Sequence, residues 1–124
     1  MKRRVTIMPT VFSVDSGRCD RRSRIKTEMA GGGKIKVTIV STCPDVRKYA
    51  EKMKELSIRD IAKSILENPI YQTASGTVGP ECLVPCALVS AAWTEAGMVS
   101  KNLLKRYNNM CIRFEDTEEL PPLV

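Results

Sequence analysis

Cys82 and Cys86 lie four residues apart in Gly79-Pro80-Glu81-Cys82-Leu83-Val84-Pro85-Cys86, at the predicted start of the most apolar stretch, Leu83 to Trp93. Cys19 follows a turn signal, Asp15-Ser16-Gly17, and Cys43 stands between a strand pattern and a helix pattern, just before Pro44. All four thiols are therefore expected at element ends, where separate segments can meet. A residue at i and one at i+4 share a helix face. The free N–H groups and dipole at a helix start favour an anion, so the thiolate, the form that binds metal, is expected to be favoured there. The same argument applies to Cys43 at its cap. The basic stretch Arg18 to Arg24 surrounds Cys19.

The chain contains no histidine among its 124 residues. That excludes Ser-His and Cys-His pairs and every His-containing metal site. A soft-metal site must then be built from sulfur, and four thiolates suit tetrahedral zinc or an iron–sulfur cluster. The expected ligands are Cys19, Cys43, Cys82 and Cys86. Their spacing, C-x23-C-x38-C-x3-C, matches neither a zinc knuckle nor a ferredoxin. Cys111 alternates with Met110 and Ile112 and is read as a spare thiol. The structural alternative is that these cysteines are small core hydrophobes. A second alternative is a metal-free thiol or redox protein with Cys82 and Cys86 as its pair; C-x3-C is looser than the C-x-x-C of thioredoxins. Catalysis is not the favoured reading. Gly31-Gly32-Gly33-Lys34 lacks the spacing of a phosphate loop and reads as a hairpin turn. Asp45 and Glu81, close to cysteines, are explained by helix starts.

These residues must be positioned by the surrounding elements. Residues 5–14 are β-branched and read as a strand, with Pro9 confining it to an edge or a bulge. Residues 22–30 alternate, with Ile25, Thr27 and Met29 on one face. In 34–41, Ile35, Val37 and Ile39 oppose Lys34, Lys36 and Thr38, a half-buried strand. Pro44 opens a helix whose apolar positions are Val46, Tyr49, Ala50, Met53 and Leu56. Ser57-Ile58-Arg59-Asp60 caps a second helix with Ile58, Ile61, Ala62, Ile65 and Leu66 inward, stopped by Asn68-Pro69. Residues 70–80 read as loop. A third helix starts between Glu81 and Val84 and runs to Ala96, with Gly97 as its C-terminal cap and Pro85 in its first turn. Residues 100–108 suggest a short helical turn, and Met110, Ile112 and Phe114 alternate as a last strand. The expected core is Ile35, Val37, Ile39, Val46, Tyr49, Ile61, Ile65, Val89, Trp93 and Ile112. The predicted class is α+β: one antiparallel sheet of about four strands with three helices on one face, in the order βββαααβ. The expected unit is a single domain over 1–124, frayed at 1–4 and in the acidic tail 115–124.

With Gly17-x-Cys19, Cys43-Pro44 and Cys82-x-x-Pro85-Cys86 in view, the chain resembles a family of small archaeal and bacterial proteins of unknown function. In that family a β-hairpin carries a G-x-C turn, a strand ends in C-P, and a late helix opens with C-x-x-P-C. The resemblance covers roughly residues 11–114. It implies the four-cysteine constellation and carries no activity.

Composition bounds the partners. An apolar fraction of 43% and a charged fraction of 27% are those of a globular domain. No segment reads as a leader or a membrane span, so the expected location is the cytoplasm. Thiols there are reduced, which argues against a disulfide framework. The net charge is +6, and residues 1–36 hold ten Lys or Arg against three acids. This basic N-terminal half suggests an adaptor for nucleic acid or an acidic protein partner. Few aromatics are present and none is interleaved with the basic cluster, which argues against base stacking.

Overall fold

In the computed structural model, residues 8–16 and 18–123 are described. Thr10–Ser16 (β1), Arg21–Gly31 (β2), Lys34–Ser41 (β3) and Glu55–Ser57 (β4) form one antiparallel sheet in the order β1-β2-β3-β4. The expected alternation governs it. Ile25, Ile35 and Val37 are buried, while Lys36 and Thr38 face outward. The β2–β3 hairpin turns through Gly32 and Gly33 at φ +63° and +73°. A two-residue turn of this hand needs positive φ at both positions, which glycine adopts without a Cβ penalty.

The helices are Pro44–Lys52 (α1), Ile58–Ile61 (α2), Pro69–Ala74 (α3), Val84–Glu95 (α4) and Lys101–Arg106 (α5). α4 packs across β1 and β2, α1 packs on β3, and α3 bridges α1 and α4. The core lies between these helices and the inner sheet face, with Tyr49, Ile61, Ile70 and Leu88 fully buried. α4 ends as expected at Gly97: the Gly97 N–H donates to Thr94 O at 3.1 Å and the Met98 N–H to Trp93 O at 2.8 Å. This is a Schellman cap, closed by a left-handed glycine.

The class is α+β with a four-stranded antiparallel sheet, as expected, but the order is βββαβαααα. The fourth strand is β4, not residues 110–114. Met110, Ile112 and Phe114 are exposed coil, Ile112 at 84%, so Ile112 is not core. α1 stops at Lys52, and Leu56 reaches the core from β4 opposite Ile35. The second helix is cut to four residues, leaving Ile65 67% exposed. The cause is a set of side-chain contacts: Asn68 Nδ2 donates to Ile61 O at 3.0 Å and Lys63 O at 3.2 Å, and Trp93 Nε1, from α4, donates to Ile61 O at 2.8 Å. These side chains take the carbonyls that a longer helix would use. Asn68 Oδ1 also accepts the Ile70 N–H at 3.0 Å, so Asn68-Pro69 starts a helix where a stop and a loop were expected. Ile39 and Val89 are half-buried, and Trp93 remains 36% exposed. The basic residues 1–4 lie outside the described residues.

A carboxylate ties the sheet edge to α4. Glu95 accepts from Thr10 Oγ1 at 2.7 Å and from the Met29 N–H at 3.1 Å, with Lys101 at 3.8 Å. Thr27 Oγ1 donates to Ala91 O at 2.9 Å, a second buried tie between sheet and helix.

Candidate metal centre

Three connections bring the sulfurs toward one end of the fold. Cys19 stands in the β1–β2 turn, where its N–H donates to Ser16 O at 3.2 Å and its Sγ lies 3.6 Å from the same oxygen. Asp20 closes the turn at φ +51°, a region that aspartate tolerates better than most residues. Cys43 caps α1 with extended backbone, its N–H donating to Ser41 Oγ at 3.0 Å and its carbonyl accepting the Arg47 N–H at 3.0 Å. Its side chain makes no capping bond and packs half-buried against the core. Cys82 ends the α3–α4 connection, just before Leu83 caps α4. An Arg18–Glu81 ion pair clips the Cys19 turn to this connection.

Cys82 and Cys86 are not equivalent. Cys82 is half-buried and lines a cleft of about 310 Å³ with Tyr71, Val78, Pro80 and Pro85. Cys86 is exposed on the first turn of α4, near Tyr71, whose hydroxyl pKa is raised by burial first and by the Cys86 thiolate second. The expectation of a depressed thiol pKa fails at Cys82. Burial pushes it above the usual 9.0, the Val84 N–H pulls the other way, and negative charge on Cys43, Cys19 and Asp45 adds to the rise. The helix start does act on this sulfur, but desolvation outweighs it. Tyr49 is raised by burial, with smaller contributions from Tyr71 and Cys82. Cys82 is thus the hub: Cys43, Cys19 and Asp45 act on it, it acts on Tyr49, and Tyr71 lines its cleft.

Among the described residues, no three Cys, Asp or Glu side chains already stand close enough together to hold a metal ion. The fold gathers the elements that carry the thiols without closing the ligands on one point. Cys111 takes no part; it is exposed, 3.9 Å from Arg113 Nη2.

Residues 10–107 match the profile described as Family of unknown function (DUF6951). The chain belongs to that family. No curated protein and no solved structure matches it. The matched span contains Cys19, Cys43, Cys82 and Cys86 and ends before Cys111. It also contains Tyr49, Tyr71 and the Arg18–Glu81 clip, which sequence reasoning did not single out. Only Glu81 had a signal, its position beside Cys82; the tyrosines come to the thiols through tertiary packing of α1 and α3.

Proposed function

We propose that this member of DUF6951 binds zinc or an iron–sulfur cluster through Cys19, Cys43, Cys82 and Cys86. The observation that supports this reading most is the surrounding of Cys82. Burial first, and then two thiols from other elements and a carboxylate, raise its pKa, so the group resists accumulating negative charge. A cation relieves that repulsion, and a coordinated thiol loses its proton outright. The donor set, all sulfur with a carboxylate beside it, is that of a soft metal. A metal held first at Cys43 and Cys82 would draw in Cys19, which sits on a turn, and Cys86, which is exposed. Bound there, the metal would crosslink the β1–β2 turn, the β3–α1 junction and the start of α4, coupling its binding to folding. No long apolar helix among the described residues marks a membrane span.

The paired-thiol alternative is less favoured, because C-x3-C is looser than the C-x-x-C of thioredoxins. Metal analysis and the absorbance spectrum of protein purified without oxygen test the proposal. About one zinc per chain with a colourless spectrum, or iron and sulfide with a coloured one, supports it. A colourless, metal-free protein that stays so after incubation with zinc or ferrous iron and sulfide refutes it.

A further inference from the structure

α1 and α4 pack on the buried face of the sheet, and among the described residues the alternate positions of β2 and β3 on the opposite face are largely exposed. The charge there is uneven. Toward the Gly32-Gly33 hairpin the cations have partners: Lys26 pairs with Glu28 at 3.7 Å, and Lys34 with Glu55 at 4.0 Å. At the other end, where β2 begins and β3 finishes, Arg22 and Arg24 stand on this face, and Arg21, of the opposite parity, and Arg47, from α1, reach the backbone of Thr42 and Ser41. Arg21 Nη1 donates to Thr42 O at 3.1 Å and Arg47 Nε to Ser41 O at 2.8 Å, so backbone carbonyls hold two of the guanidinium groups. Arg24 shares Asp15 at 3.2 Å, and Arg22 has no carboxylate partner among the described residues. Arg22 and Arg24 line a shallow, open cleft of about 350 Å³ with Val40, Ser41 and Thr42. Arg21 and Arg47 tie the end of β3 to its neighbours, whereas Arg22 and Arg24 have one carboxylate, Asp15, between them, and their like charges repel.

We propose that this arginine corner binds the phosphate backbone of a nucleic-acid duplex without reading its sequence. The guanidinium fork suits phosphate oxygens. Arg22 and Arg24, on one face of a strand, stand roughly 6.7 Å apart, the scale of neighbouring phosphates on a backbone. The surface is open, so it fits an extended polyanion rather than an enclosed small anion. No aromatic side chain stands on the outward sheet face among the described residues, so single-strand stacking has no platform. The inference is independent of the thiols.

The test is fluorescence anisotropy with a labelled 20-base-pair DNA duplex between 50 and 200 mM salt. Three proteins are compared: the native chain, R22Q/R24Q, and K105Q/R106Q, which removes the same charge from α5. The native chain is expected to bind with a log–log salt slope near −3 (about three phosphates neutralised). R22Q/R24Q should weaken binding about tenfold or more at 50 mM and flatten the slope by about 2, while K105Q/R106Q leaves both nearly unchanged. Absence of binding by the native chain overturns the proposal. Equal losses in both variants do so too, by reducing the effect to net charge. Displacement of the duplex by polyglutamate at matched charge overturns it in favour of an acidic protein partner.

Discussion

At the scale of single residues, Cys82 carries the most testable physics. Its thiol is raised above 9.0 by burial and by neighbouring thiols and Asp45. The folded chain therefore keeps a proton that the unfolded chain releases as pH climbs past that value. Where the native state binds more protons, stability falls with rising pH. Tyr49 acts in the same direction at higher pH, because burial raises its hydroxyl as well. The metal-free protein should therefore melt lower at pH 9.5 than at pH 7.5, and Cys82→Ala should reduce the difference. With metal bound the folded thiol is already deprotonated while the unfolded one still holds its proton up to about 9.0, so its part of the pH dependence should reverse sign. Melting curves at the two pH values, with and without chelator, measure this. A slope that is the same for native and Cys82→Ala protein would remove Cys82 from the account.

At the scale of elements, the sheet alternation was legible because one face is buried and the period of two is strict. The α4 boundaries were legible for a similar local reason: Pro85 tolerates only the first turn and Gly97 supplies the left-handed cap. The misreadings came where tertiary contacts override a local pattern. Ile65 and Leu66 continue a helical stripe, but Asn68 and Trp93 claim the Ile61 and Lys63 carbonyls first. Leu56 fits the spacing of α1 yet pairs as β4, because three residues carry too little pattern to show a strand. Asn68 thus ends one helix and starts another, and its side chain is buried. Asn68→Ala removes a cap, worth about 1 kcal/mol, and the donors to the Ile61 and Lys63 carbonyls, the first of which keeps Trp93, so the total loss should be about 2 kcal/mol. Urea unfolding measures it. A loss under about 0.5 kcal/mol would show that Asn68 does not hold the α2–α3 junction.

At the scale of the whole molecule, the four thiols belong to the β1–β2 turn, the cap of α1 and the start of α4, which are far apart in sequence. Sequence spacing pointed to element ends; it did not show that Cys82 is half-buried while Cys86 is exposed. The segment beyond α5 contributes nothing to this assembly, since Ile112, Phe114, Leu120 and Leu123 are exposed. Removing residues 115–124 should shift the melting temperature by no more than about 1 °C, because exposed chain buries no apolar area. A drop of several degrees would mean that the tail packs on the domain.

The central claim is that Cys19, Cys43, Cys82 and Cys86 act as one metal-binding unit with Cys111 outside it. Thermal unfolding of the five single Cys→Ser variants, prepared without oxygen and measured with and without chelator, tests it most directly. The account predicts a shared loss of metal and of melting temperature in the four ligand variants, no further loss on adding chelator to them, and native behaviour for Cys111→Ser. Five curves that differ only with the burial of each cysteine, all indifferent to chelator, would contradict it.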